Sequence, residues 1–234
     1  MTKAVFFDFG GTLVSPLRDG YPVFEDVMRS RGVRLDRPSY ERAEAAVGGS
    51  LGSFLYEYLG KSPGFWDTYH ARVLEYLGVV EETNELVHVL HDAFTSPRWH
   101  RPYPETTEVL DTIARRGVPM HVVSNNTELL PETLARLGWS GHFATVTFSQ
   151  EAGAEKPDPR VFRLALDRAG RSPEEVVHVG DSWEADVVGA RSAGIPAVWV
   201  DREGRDPGRE VRRVTDLRGV LSYLEDDGPR ESGR

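Results

Sequence analysis

The sequence predicts an α/β fold, a doubly wound and mostly parallel sheet with an α-helical insertion near its start. Two observations carry that prediction. Short apolar runs that break off at polar residues alternate with amphipathic helical patterns that close on glycine, as repeated strand–helix crossovers do. Residues 22–94 interrupt the alternation with apolar residues at helical spacing and no comparable strand run.

The strand candidates are Lys3–Asp8, Val118–Ser124, Phe143–Phe148, Val176–Asp181 and Ile195–Val200. Their apolar residues are continuous rather than alternating, which is the pattern of strands buried on both faces. Helical patterns follow over Pro104–Arg116, Glu128–Leu137, Pro159–Ala169 and Ala185–Ala193, stopped by Gly117, Gly138, Gly170 and Gly194. In the insertion, the stripes Val23, Val27, Met28, then Phe65, Tyr69, Val73, Leu74, Leu77, then Leu86, Val89, Leu90, Phe94 predict three or four packed helices. Phe65, Trp66 and Tyr69 are assigned to the packing between them.

Proline-bearing joints at Ser15-Pro16 and over Ser96–Pro104 mark where the chain leaves and rejoins the sheet. The domain reading is therefore a Rossmann-like core of residues 1–16 and 102–225, a helical cap of 17–101 with hinge linkers, and a flexible tail of 226–234. Arg98, His100 and Arg101 on the return linker form a basic cluster placed to steer an anion. His88 and His91 fall at helical spacing and read as a solvated face rather than a metal site.

A net charge of -9 repels phosphate backbones and argues against extended nucleic acid as a partner, so any phosphate has to be gripped locally. The absence of cysteine removes disulfides, thiolate metal sites and cysteine nucleophiles together. No apolar stretch approaches a membrane span or a signal-peptide core, which sets a cytoplasmic location as the expectation, with no membrane partner. Nothing in the sequence chooses between monomer and homodimer.

Ligands of an open parallel sheet bind beyond the carboxyl ends of its strands. The first run ends in Asp8 followed by Gly10, Gly11 and Thr12; the second in Ser124 and Asn125; the fourth in Asp181, with Asp186 beyond; and Lys156 follows the third. Asp8 and Asp181 make a hard, oxygen-rich pair suited to Mg2+, with Asp186 within reach through a water. Lys156, Ser124 and the backbone amides of Phe9, Gly10 and Gly11 suit a phosphoryl group, and Asp8 is left as the nucleophile. Glycine at position 10 is expected to serve a turn at positive φ.

The ordered stretches FFDFGGTL, VVSNN, EKPDP and VVHVGDSWEAD resemble the four motifs of the haloacid dehalogenase-like hydrolases, and the helical insertion after the first resembles that superfamily's type 1 cap. The resemblance implies an aspartyl-phosphate at Asp8, catalytic help from Lys156, and phosphate contacts from Gly11, Thr12, Ser124, Asn125 and Lys156. It further implies Mg2+ held by Asp8, Asp186, Asp181 and the Gly10 carbonyl, and a small phosphorylated metabolite as substrate. One position departs: phosphatases of the superfamily usually carry a second Asp two residues after the nucleophile, as general acid and base, where this chain has Gly10. Dehalogenation is disfavoured because those relatives work without metal. Two alternatives stay open: a phosphonate hydrolase using Lys61, the one lysine of the insertion, and a non-catalytic relative that binds a phospho-ligand.

Overall fold

The computed structural model describes residues 2–15, 20–51, 65–79, 83–204, 208 and 210–226. Lys61, Pro16 and residues 227–234 of the expected tail lie outside them. Six parallel strands form one sheet in the order β3-β2-β1-β4-β5-β6. They are β1 Ala4–Phe7, β2 Met120–Ser124, β3 Phe143–Phe148, β4 Val176–Gly180, β5 Ala197–Val200 and β6 Arg212–Val214.

The central strand shows why its run is apolar throughout. Val5 and Phe7 face one layer and Ala4 and Phe6 the other, because successive strand side chains point to opposite faces. The helices Thr106–Arg115, Leu130–Arg136 and Arg218–Asp226 cover the first face with Val109, Leu110, Ile113, Leu130, Leu134 and Val220. Pro159–Ala169 and Gly189–Ser192 cover the second with Val161, Phe162, Ala165, Leu166 and Ala190. The result is three layers, helix on sheet on helix.

Between β1 and the helix Thr106–Arg115 the described helices are Tyr21–Ser30, Arg37–Leu51, Phe65–Tyr76 and Thr83–Phe94. They bury a core of their own around Val23, Phe24, Met28, Tyr40, Val73, Leu74 and Leu90. The two chain crossings lie side by side: Val14 bridges Pro102, Ser15 N–H donates to the Arg101 carbonyl at 2.8 Å, and Tyr103 N–H donates to the Leu13 carbonyl at 3.2 Å. Away from that joint, Arg136 Nη2 meets Asp92 at 2.6 Å and His91 Nε2 meets Glu132 at 3.3 Å, tying the helix Thr83–Phe94 to Leu130–Arg136. His91 thus spends its ring on carboxylates, while His88 is exposed.

The structure adds β6 and the helix Arg218–Asp226, which the sequence does not announce because only Val214 of the three-residue strand is buried. The helix expected over Ala185–Ala193 begins earlier, as a wide π-type turn over Trp183–Val188. Two local bonds shape that turn: Ser182 accepts the Ala185 N–H at 3.2 Å, and the Asp186 carboxylate accepts the Ser182 N–H at 2.9 Å.

Candidate active site

Strand order reverses between β1 and β4, so the crevice beyond those two carboxyl ends is the sheet's natural binding place. Phe7 pairs with Val122 on one side and Val179 on the other, which keeps the three strand ends level. Asp8 and Asp181 are the residues immediately past β1 and β4, and Ser124 closes β2. All three line a cavity of about 430 Å³ with Gly10, Asn125, Lys156 and Asp186, closed by Phe9, Val14 and His100.

Lys156 is the cation of the cavity floor, only 5% exposed. Its Nζ donates to Asp8 Oδ1 at 2.8 Å and to Asp186 Oδ1 at 2.5 Å. Asn125, expected to contact phosphate, lines the cavity and uses its amide to hold Lys156 in place: its Nδ2 donates to the Lys156 carbonyl at 3.0 Å and its Oδ1 accepts the Lys156 N–H at 2.7 Å. Asp186 accepts from His178 Nε2 at 2.9 Å as well. A carboxylate only accepts, so His178 carries its proton on Nε2. With the Ser182 N–H on its other oxygen, Asp186 is fully engaged.

Each of Asp8, Asp181 and Asp186 places a carboxylate oxygen within 4.8 Å of the other two. Three carboxylates against one ammonium leave two negative charges unbalanced. Burial raises Asp8, with Lys156 pulling the other way and Asp186 adding to the rise. Asp181 is pushed up to about 7 by burial first and then by the charges of Asp8 and Asp186. Burial alone would raise Asp186 too, yet the Lys156 charge and the His178 hydrogen bond hold it below the usual range. Lys156 stays protonated because Asp186 and Asp8 outweigh its desolvation. Asp186 has taken the lysine's charge, which leaves Asp8 and Asp181 as an oxygen-rich pair of the kind that could hold a divalent cation.

The loop after Asp8 is set by glycines and by a clamp the sequence does not reveal. Gly11, not Gly10, takes the positive φ, at +87°, and a Cβ there would fall 2.3 Å from Asp181 Oδ2. Gly10 lies outside the positive-φ region, and a Cβ on it would meet nothing within 4 Å, which corrects the expectation. Gly11 also spends its amide on the Val14 carbonyl at 2.8 Å, so it has none to offer a phosphate. Thr12 is fully buried behind the cavity wall and donates Oγ1 to Asp181 Oδ1 at 3.2 Å.

Arg202, just past β5, donates to the Thr12 carbonyl at 2.9 Å and to Glu105 at 2.7 Å, and stacks on Tyr103 with 3.5 Å to the ring centre. It binds the loop after β1 to the start of the return into the sheet. Of the expected basic cluster, Arg98 is paired with Asp26 at 2.6 Å, and burial lowers His100 from its ordinary value. Exposed Arg101 is therefore the member of that cluster left to present positive charge to an incoming anion.

A buried carboxylate at the switch point, a buried lysine beside it and a second strand-end acid fit a hydrolase centre. The chain belongs to the haloacid dehalogenase-like hydrolases, whose family pattern matches residues 2–194. It is 35% identical to a phosphoserine phosphatase of Thermus thermophilus over 94% of this chain and 98% of that one. It is 30% identical to a glyceraldehyde 3-phosphate phosphatase of Methanopyrus kandleri over 99% of this chain and 95% of that one. Among solved structures, a 2-haloacid dehalogenase from Pseudomonas syringae pv. Tomato superposes with a TM-score of 0.77 at 23% identity, over 97% of this chain and 99% of that one. That likeness speaks for the fold alone. A HAD phosphatase from Thermococcus onnurineus superposes with a TM-score of 0.67 at 25% identity, over 95% and 98% of the two chains. Among the described residues no helix is long and apolar enough to cross a membrane.

Proposed function

We propose that this protein is a magnesium-dependent phosphatase that hydrolyses a small phosphorylated metabolite through an aspartyl-phosphate at Asp8. The observation that carries the reading is the buried Asp8 carboxylate at the sheet's switch point, 2.8 Å from Lys156 Nζ and flanked by Asp181 and Asp186. Full-length likeness to proteins named as phosphatases supports it.

In the first step an Asp8 oxygen attacks phosphorus while the bond to the leaving oxygen breaks. In the second, water attacks the same phosphorus and the Asp8 carboxylate departs. Lys156 holds the Asp8 carboxylate in one orientation and faces the phosphoryl charge, and Asp186 and Asn125 fix the lysine. Ser124 and the amides of Phe9 and Gly10, which line the cavity, would hold phosphoryl oxygens. Asp8, Asp181 and the Gly10 carbonyl, backed by Asp186, would hold Mg2+, whose charge neutralises the phosphoryl group and the carboxylates around it. The helices of 17–101 serve as a type 1 cap, and they set substrate choice because the motif residues are spent on phosphate.

The test is a panel of phosphate esters containing phosphoserine, glyceraldehyde 3-phosphate and phosphoglycolate, with acid quenching to trap phosphoenzyme. Phosphate release that stops with chelator, and a trapped phosphoenzyme that disappears in folded Asp8→Asn, are expected. Turnover by folded Asp8→Asn, or full activity in excess chelator, would overturn the nucleophile or the metal role respectively.

A further inference from the structure

We propose that His100, on the linker returning to the sheet, is the general acid and base of the reaction. The inference rests on the phosphatase reading above and assigns the one role that reading leaves vacant. A two-step hydrolysis through an aspartyl ester needs a group that gives a proton to the leaving oxygen and takes one from the attacking water. Gly10 offers no side chain for either task.

The titratable side chains lining the cavity are Asp8, His100, Lys156, Asp181 and Asp186. Asp8 is consumed as nucleophile. Lys156 is locked between Asp8 and Asp186, and Asp186 is saturated by Lys156, His178 and the Ser182 N–H. Asp181 belongs to the carboxylate cluster that would hold Mg2+ in that reading. His100 alone among these stands outside the ionic cluster.

Its tautomer follows from its partner. Nε2 lies 2.6 Å from the Phe94 carbonyl, and a carbonyl only accepts, so Nε2 carries the hydrogen. The lone pair is then on Nδ1, which no hydrogen bond among the described residues engages. The ring is further fixed by packing against Phe9, the residue between Asp8 and Gly10, at 5.7 Å between centroids. Burial lowers the imidazole from its ordinary value, so a proton taken up at the ring is held weakly and is readily passed on. The charged groups that share the cavity with it are Asp8, Asp181, Asp186 and Lys156; Arg98 (held by Asp26) and Arg101 lie on its own linker, and His91 and Asp92 on the helix that ends at Phe94.

The protons balance over one cycle. As water's oxygen bonds to phosphorus and the Asp8–phosphorus bond breaks, Nδ1 takes a proton from that water. As Asp8 attacks the next substrate, the imidazolium returns the proton to the oxygen whose bond to phosphorus breaks, and leaves it as an alcohol.

The experiment compares wild type, His100→Gln, Gly10→Asp and the double variant His100→Gln with Gly10→Asp. Gln retains an N–H that can reach the Phe94 carbonyl and removes the base. The measurements are thermal melts, kcat and KM against pH, and phosphoenzyme level with an aryl phosphate such as p-nitrophenyl phosphate and with phosphoserine. His100→Gln should melt near wild type, lose roughly 10² to 10⁴-fold in kcat with little change in KM, lose the acidic limb of the pH profile, and accumulate phosphoenzyme with the aryl ester. The double variant should recover part of kcat, because a carboxyl at position 10 offers the missing group from the other side of Phe9. Gly10→Asp in wild type should gain less than threefold on phosphoserine, a comparison that stands even if His100→Gln unfolds. Unchanged kcat and pH profile in folded His100→Gln, an effect confined to KM, or a large gain from Gly10→Asp in wild type would each overturn the role of His100. A wild type that neither releases phosphate nor forms a phosphoenzyme would overturn the phosphatase reading itself, and this inference with it.

Discussion

The floor of the cavity and its rim are built on opposite terms. On the floor, Lys156, Asp186 and His178 are almost wholly buried and bound to one another, and Asn125 and Ser182 hold the backbone around them. On the rim, Gly10 is exposed with open space over its α-carbon, and His100 has one ring nitrogen tied and one unengaged. The charge arrangement is therefore set before any ligand arrives, while the groups that meet leaving group and water stand where solvent and substrate reach them. Electrostatic preorganisation works best on such a fixed floor, because nothing there has to reorient during the reaction.

Breaking the floor should have the largest effect. Lys156→Met leaves Asp8 and Asp186 buried without their cation, a change that costs about 3–5 kcal/mol where one partner of a buried ion pair is removed. The same change should abolish phosphoenzyme formation. Asp8→Asn goes the other way in stability. Its carboxyl is raised by burial, so ionised Asp8 costs the metal-free fold something at neutral pH, and Asn removes that cost. Without magnesium, Asp8→Asn should melt at or above wild type while turning nothing over, and a clear drop in its melting temperature would contradict the charge count of the floor.

The floor was also the more legible half in the sequence. Asp8, Ser124, Lys156, Asp181 and Asp186 each end a strand or follow one closely, and the continuous apolar runs that mark buried parallel strands locate those ends. Asn125 and Thr12 were legible as members of the site but not in what they do, because their partners, the Lys156 backbone and Asp181, are brought to them by other strands. The Arg202–Glu105 clamp is 97 residues apart in the chain and left no local pattern. Arg98 and His100 read as charge on paper, and only the fold supplies the Asp26 partner and the burial that remove it.

That clamp ties the loop after Asp8 to the return into the sheet, and it is open to test through acid stability. Burial raises the Glu105 carboxyl, but the Arg202 hydrogen bond and charge outweigh it and hold the net value below 4.5. A carboxyl lowered by folding stabilises the fold above its unfolded pKa, and that contribution is lost as pH falls through the folded one. Wild type should therefore lose stability from about pH 4.5 downward more steeply than Glu105→Gln, which lacks the titrating group. Equal slopes in pH-dependent melts would remove the clamp from the account of the loop.

The smallest expected effect separates two adjacent glycines. Gly11 faces the floor: at φ +87° its backbone is in the region L residues avoid, and a Cβ would strike the Asp181 carboxylate between 2.3 and 2.6 Å. Gly11→Ala should cost about 1–2 kcal/mol for the backbone alone. Because the methyl also displaces Asp181, the magnesium concentration needed for half-maximal activity should rise. Gly10 faces the rim, with φ outside that region and no neighbour within 4 Å of a built Cβ. Gly10→Ala should be neutral, or stabilising by up to about 1 kcal/mol, through the lower entropy of the unfolded chain. It should leave the magnesium requirement where it was, since the Gly10 carbonyl keeps its place. Paired urea melts and metal titrations of the two alanine variants read this directly. If both glycines resist substitution equally, the rim is as constrained as the floor, and the absence of a side chain at position 10 is a packing requirement. If Gly10→Ala alone is tolerated, geometry leaves room there for an acid that this enzyme does without.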